Sequence, residues 1–290
     1  MDLAGFDFST LYLYDPGERG SSRMYLYLKE KFCEPITESL ALIHSVQGGR
    51  ARIITGFPIR PKVFENDGPL GSIVLAKSLS DLGITTELFI PLDCLETLKS
   101  VSNEVDLPAV VKPIGKSMDI DGPWNLSIFV EYPGSNYRGV RHNMAGEAIS
   151  NLTFPLDHLM SCSKTLCIGD GGNEIGMGKI EDFIRQDIPF GDLCQCPCAS
   201  GIASHGSCDV LLPLGTSNWA CYVLAAMLGF PLDEKICSGL LQAGMKFGLV
   251  DGIKGTPSLS VDGLTPTTEK VFIKHLESLS CRFKRYQQPD

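Results

Sequence analysis

The chain has 290 residues, 43% of them hydrophobic and 20% charged, with a formal net charge of −9. That length holds one large α/β domain or two small ones and buries a substantial core. The acidic balance argues against nucleic acid as a main partner, because phosphate contacts need clustered Lys and Arg. No apolar run approaches the roughly 18–20 residues of a membrane helix, so no membrane partner is expected.

The opening stretch Met1-Asp2-Leu3-Ala4-Gly5-Phe6-Asp7 has neither a basic n-region nor an Arg-rich amphipathic pattern, and no targeting signal is read there. Phe8 to Tyr14 is apolar and aromatic and runs into a turn at Asp15-Pro16-Gly17-Glu18-Arg19-Gly20. Arg23 to Val46 predicts helix, interrupted near Pro35 and stopped at Gly48-Gly49. Arg52 to Thr55 predicts a short buried strand, followed by a long loop from Phe57 to Asp67. Asp67 or Asn66 is placed to cap the next helix, with Pro69 in its first turn, Leu75, Leu79 and Leu82 on one side, and Gly83 at its end. Thr85 to Ile90 is a β-rich run, and Asp93, three residues before Glu96, is a variant capping box opening another helix. Pro108 to Val111 and Leu126 to Val130 predict further strands. The second delivers Glu131, then Tyr137, Arg138, Arg141, His142 and Asn143, into a loop.

Thr165 to Ile168 predicts a buried strand and Lys179 to Arg185 a helix. Asp209 to Leu214 predicts another strand, after which Ser217 or Asn218 caps an apolar helix running to Leu228-Gly229. Cys237 to Phe247 and Glu269 to Leu279 give a helical region over 230–290. The alternation of strands and helices predicts one α/β domain over 1–290, with a largely parallel, Rossmann-like sheet flanked by helices.

Between the Thr165 strand and the Lys179 helix lies Ile168-Gly169-Asp170-Gly171-Gly172-Asn173-Glu174-Ile175-Gly176-Met177-Gly178. Glycine lets a ligand approach the main chain, and open α/β sheets place ligands at strand-to-helix turns. The ordinary reading is a tight turn with solvated acids, but a plain turn needs one or two glycines. The stretch is neither a Walker-type phosphate loop nor a complete dinucleotide fingerprint, and no nicotinamide or flavin cofactor is expected. Its acids would repel a phosphate unless a metal lay between them.

Four predicted strands end in ligand-capable residues: Thr55 leads to Asp67, Val130 to Glu131, Ile168 to Asp170 through Glu174, and Leu214 to Ser217 and Asn218. In a parallel sheet these ends share one edge, so residues far apart in sequence converge. Taken singly, each has an ordinary reading as a cap or a solvated loop residue.

Eleven cysteines in a chain this long are not a disulfide scaffold. Cys33, Cys167, Cys221 and Cys237 sit in apolar runs, where reduced cysteine acts as a small hydrophobe, and a reducing compartment is inferred. Cys194-Gln195-Cys196-Pro197-Cys198, with His205 and Cys208 nearby, raises the question of zinc. One residue between paired ligands is shorter than the two to four that structural zinc sites favour, so a structural or incidental cluster is the preferred reading.

The chain resembles the C-terminal domain of the D-glutamate cyclase family. The likeness rests on Asp15-x-Gly17-x-Arg19-Gly20, Thr55-Gly56-Phe57-Pro58, Glu65-x-Asp67-Gly68-Pro69-x-Gly71, Glu131-x-x-Gly134, the glycine stretch from Gly169 to Lys179, and Ser217-Asn218-Trp219. The order matches over roughly residues 7 to 230, and the glycine stretch is the specific element. In animal members this domain follows an additional N-terminal domain, and those proteins are mitochondrial. A cytoplasmic or mitochondrial-matrix location is expected here.

The resemblance implies a lyase that dehydrates D-glutamate to 5-oxo-D-proline. It implies Asp170, Glu174, Asn173 and Asp67 as residues of the chemistry. Gly171, Gly172, Glu131, Asn218, Arg19, Arg141 and Lys179 are expected to bind the small acidic amino-acid substrate. Four acids around an acidic substrate need cations, so Mg²⁺ or Mn²⁺ is expected on Asp170, Glu174, Asp67 and Glu131. A metal-free site whose acids orient the substrate ammonium, a metal-dependent hydrolase, a phosphate-handling enzyme and a non-catalytic ligand-binding domain stay open, as does a homo-oligomer.

Overall fold

The computed structural model describes residues 6–115 and 120–286. The stretch read for targeting lies mostly outside these. Two helices open the described chain, α1 (Ser9–Tyr12) and α2 (Ser21–Lys31), and α3 (Pro35–His44) follows after the break at Pro35. Then come β1 (Arg50–Thr55), a hairpin of β2 (Pro58–Arg60) and β3 (Val63–Phe64), α4 (Pro69–Asp81), β4 (Thr85–Pro91), α5 (Leu95–Glu104), β5 (Val111–Ile114) and β6 (Leu126–Val130). The second half holds β7 (Lys164–Gly169), α6 (Glu181–Asp187), β8 (Val210–Pro213), α7 (Ser217–Met227), α8 (Glu234–Lys246) and α9 (Pro266–Tyr286).

Six strands form one sheet in the order β5-β4-β1-β6-β7-β8, every pairing parallel. Both faces are covered, and consecutive residues show it. Ile53, Ile128, Leu166 and Leu212 belong to one apolar cluster, while their neighbours Ile54, Phe129, Cys167 and Leu211 belong to another on the opposite face. This is why the strands read as unbroken apolar runs rather than as alternations. The sheet grows outward from β1 in one direction through β4 and β5, then in the other through β6, β7 and β8. Strand order therefore reverses between β1 and β6, and a crevice opens at their carboxyl ends.

Several local expectations shift. The loop from Phe57 to Asp67 contains the β2–β3 hairpin. The strand expected from Pro108 begins at Val111, since Pro108 has no amide to give a ladder; Pro113 is tolerated because β5 is an edge. The variant capping box does not form. Leu92–Cys94 makes a 3₁₀ turn, and Cys94 precedes α5 without a side-chain cap. Cys33 is exposed rather than packed as a small hydrophobe, whereas Cys167, Cys221 and Cys237 are buried and all the cysteines are free. Among the described residues, no helix is long and apolar enough to cross a membrane.

Candidate functional site

The helices α4 and α7 leave the crevice side by side. Adding a Cβ to Gly71 would put it 2.7 Å from Asn218 Cα, so only glycine permits this approach. The contact brings both helix N-termini together, and each is capped by a residue of the other. The Ser217 and Asn218 amides donate to the two oxygens of Asp67 at 2.9 and 2.8 Å. The Gly68 and Gly71 amides donate to Asn218 Oδ1 at 3.1 and 2.7 Å, and Asn218 Nδ2 donates to the Asn66 carbonyl at 3.0 Å. Asp67 and Asn218 are thus caps, though not of their own helices. The residue that caps α7 locally is Thr216, whose Oγ1 accepts from the Trp219 amide at 3.2 Å.

Glu131 follows β6 with φ +45, and its Oε2 accepts from Ser217 Oγ at 2.6 Å. Asp170 follows β7. Glu174 folds back into its own loop and accepts from the amides of Gly171 (2.9 Å) and Gly172 (2.8 Å). Those amides, expected to hold a substrate oxygen, are therefore occupied by a side chain of the same turn. Asn173 donates from Nδ2 to the His142 carbonyl at 2.8 Å, while its buried Oδ1 has no partner and the residue lines the cavity described below.

Arg19 is the cation of the site. Asp15 shapes its loop by accepting from the Gly20 amide at 3.2 Å, and Arg19 stands between Glu18 (φ 52) and Gly20 (φ 95). Its Nη2 donates to Asp170 Oδ2, to Asp262 Oδ2 (2.8 Å) and to the Gly215 carbonyl (3.4 Å). The side chain is 19% exposed. Around it lies a cavity of about 310 Å³, whose walls include Glu65, Glu131, Asp170, Asp262, Asn143 and Met144.

The structure thus brings together Asp67, Glu131, Asp170, Glu174, Asn173, Asn218 and Arg19. It does not bring Arg141 or Lys179 to the cavity. Arg141 donates to Thr153 Oγ1 (2.6 Å) and the Ser150 carbonyl (3.0 Å), and so braces its loop. Lys179 donates to the Cys208 and Asp209 carbonyls (3.2 and 2.7 Å) and lies over the Phe32 ring. Both basic side chains follow a strand end, but the chain carries them past the crevice.

Glu65 and Asp262 belong to the cavity wall, and sequence reasoning does not single them out as site residues. Glu65 sits inside the Glu65-x-Asp67 motif, which is a usable signal. Asp262 comes from a loop in the region expected to be helical, and Asp262-Gly263 reads locally as a turn, with φ 51 at Asp262.

So many acids in so little water perturb one another. Burial pushes the Asp67 carboxyl up to about 8, with Asp262 adding to the push and the Asn218 amide, Arg19 and the Ser217 amide opposing it. Burial likewise holds Glu65, Glu131 and Asp170 well above the usual carboxylate range. Asp262 adds most to Glu65, Glu174 adds most to Glu131, and Arg19 partly offsets the effect at Asp170. Burial alone would lower the Arg19 guanidinium, but Asp170, Asp262 and Asp67 outweigh it and keep the charge in place. Two sets of carboxylates, Asp67-Asp170-Asp262 and Glu131-Asp170-Glu174, offer oxygens within 4.8 Å of one another.

The sequence matches the family described as D-glutamate cyclase-like, C-terminal, over residues 9–277. The chain belongs to this family. Among curated proteins, it is 27% identical over 244 residues to the human "D-glutamate cyclase, mitochondrial", covering 74% of this chain and 37% of that protein. The chain thus spans little more than a third of that relative's length. Among solved structures, the exonuclease RecJ bound to manganese gives a TM-score of 0.31 at 16% identity, over 73% of this chain and 42% of that one. RecJ in complex with Mn²⁺ from Thermus thermophilus gives 0.31 at 11% identity, over 96% and 44%. Neither TM-score reaches fold-level similarity. Within the family's matched span lie Arg19, Asp67, Glu131, Asp170 and Asp262.

Proposed function

We propose that this domain carries out a D-glutamate cyclase-like reaction, closing D-glutamate to 5-oxo-D-proline with loss of water. Family membership and the human relative's name supply the reaction class. The observation that carries the reading is one guanidinium, Arg19, set among buried acids in a cavity at the sheet's reversal point.

Closing the ring forms one C–N bond and breaks one C–O bond. Two protons leave the ammonium nitrogen and two arrive on the departing oxygen, so atoms and charge balance. At neutral pH the amine is protonated and the γ-carboxyl ionised, which are the unreactive forms of both. A site that moves protons between closely spaced carboxyls meets this need. Burial raises Glu131, Glu65 and Asp170 alike, but Arg19 opposes the rise most directly at Asp170, so Glu131 and Glu65 are the groups to donate toward the γ-carboxyl. Asp170, beside Arg19, is the group to accept from the amine. Arg19 keeps donors beyond Nη2 for the α-carboxylate, and the cavity holds the chain folded for attack.

Arg19 already bridges Asp170 and Asp262, so the all-oxygen set that would suit Mg²⁺ or Mn²⁺ beside it is Glu131, Asp170 and Glu174. A bound divalent ion supplies charge that polarises a carboxyl oxygen.

The test is incubation with D-glutamate, with and without Mg²⁺ or Mn²⁺, following 5-oxoproline by chromatography and using L-glutamate as the stereochemical control. The expected result is product from D-glutamate that disappears in Asp170→Asn. Saturable stabilisation by D-glutamate with no product under any condition replaces this reading with that of a ligand-binding domain.

A further inference from the structure

Away from the acids, a second cluster gathers donors of a different chemistry. Cys194, Cys196 and Cys198 lie on one loop, and His142 reaches them from the loop after β6, 54 residues from Cys196. One donor atom from each lies within 4.8 Å of all the others. His142 Nε2 is 3.2 Å from Cys196 Sγ and 3.6 Å from Cys198 Sγ. Cys194 Sγ is 3.6 Å from Cys196 Sγ and 3.3 Å from Cys198 Sγ.

These separations have the size of tetrahedron edges. Zinc–sulfur bonds of about 2.3 Å and zinc–nitrogen bonds of about 2.0 Å give edges of roughly 3.8 Å between sulfurs and roughly 3.5 Å between sulfur and nitrogen. The sulfurs also receive amide donors of the kind that steady thiolates. Asn136 Nδ2 donates to Cys198 Sγ and the Cys198 amide donates to Cys196 Sγ, both at 3.4 Å. His142 is buried, as is Cys194, so the cluster faces inward.

We propose that His142, Cys194, Cys196 and Cys198 bind one Zn²⁺ as a structural site. Neither His205 nor Cys208, the neighbours suggested by sequence, takes part. His205 Nδ1 is 2.8 Å from Glu181 Oε2, and Cys208 Sγ points to the Val210 carbonyl at 3.2 Å. As the metal binds, three S–H bonds break, three Zn–S bonds and one Zn–N bond form, and three protons leave to solvent. Four protein donors complete the tetrahedron, so no position is open for water or substrate.

The site's place in the fold gives it a task. Asn143 and Met144, the two residues after His142, line the acidic cavity. The Gln195 amide donates to the Gly146 carbonyl at 2.9 Å, on the other side of the same segment. The metal clamps the 194–198 loop to that segment, and so fixes one wall of the cavity without touching what binds there.

The experiment takes the full chain, purified without chelator and without a metal-affinity step, and refolded with Zn²⁺. Elemental analysis is expected to find one zinc per chain. X-ray absorption at the zinc edge is expected to show three sulfur neighbours at about 2.3 Å and one nitrogen at about 2.0 Å. Chelation is expected to lower the melting temperature by roughly 5 °C or more, and His142→Ala to release the metal faster. Zinc below a tenth of an equivalent, a disulfide among the three cysteines by mass spectrometry, or zinc coordinated by oxygen alone would each overturn the proposal. The absorption spectrum needs no variant, so a misfolded mutant leaves the test intact.

Discussion

Asp67 and Asn218 cap each other's helices. Each closes the amides at the start of the helix the other begins or precedes, through four bonds of 2.7 to 3.1 Å. Replacing Asn218 with Ala leaves the Gly68 and Gly71 amides buried without a partner, at a cost of about 1–3 kcal/mol. Because α4 loosens with it, the double substitution with Asp67→Ala is expected to lose less than the sum of the singles, by about 0.5 kcal/mol or more. Urea unfolding of the four proteins measures this. Strictly additive losses would show that the two caps act separately.

The closeness of α4 and α7 depends on residue 71. Gly71→Ala drives a methyl to 2.7 Å from backbone, which no rotamer change relieves. A loss of about 1–3 kcal/mol is expected, although alanine is the better helix former by about 1 kcal/mol. A stabilised Gly71→Ala protein in thermal unfolding would mean that the helices have room to part.

Removing the Arg19 charge leaves Asp170 and Asp262 facing each other. Arg19→Met is expected to lower kcat/KM for the proposed D-glutamate cyclisation by about 100-fold or more. Arg19→Lys is expected to recover part of it, since an ammonium can bridge Asp170 and Asp262 as Nη2 does but brings no further fixed donors for the α-carboxylate. Equal rates in the two variants would show that a positive charge at this position does not by itself support turnover.

Glu269 offers a test of sign. It is buried against the Trp219 ring nitrogen, which donates to its Oε2, and its Oε1 has no partner. Burial raises it from 4.5 to about 7, with the Trp219 bond opposing. The folded state therefore prefers the protonated acid. That contribution is complete below about pH 4.5 and is lost as pH rises through about 7, a change of about 3 kcal/mol at 1.36 kcal/mol per pKa unit. Glu269→Gln removes the titration, so its stability advantage over the parent protein should grow between about pH 5 and 8 in parallel melts. A gap that narrows with rising pH would contradict the assignment.

What could be read beforehand follows from what is local. The apolar runs of β1, β6, β7 and β8 and their polar ends are contiguous signals, and the shared edge of a parallel sheet does the rest. The reciprocal caps could not be foreseen, because a side-chain acceptor is equally at home on its own helix or on a neighbour's. Arg141 and Lys179 mislead for the opposite reason: Arg141 turns back to carbonyls of its own loop and Lys179 reaches those of Cys208 and Asp209 ahead of β8, both away from the crevice. Asp262 is hidden by distance, since nothing in its sequence neighbourhood announces the Arg19 it meets. His142 reads as a loop residue, and its partnership with the Cys194 loop is visible only in three dimensions.

The bridges from Arg19 span 151 residues to Asp170 and 243 to Asp262. Chain closure over such intervals comes after the nearby strand pairs have formed. On a ribosome, the acids of β6 and β7 therefore emerge long before Asp262 can share their counter-charge. Until then the crevice lacks one of its acidic walls. Its assembly thus reports that synthesis has passed residue 262.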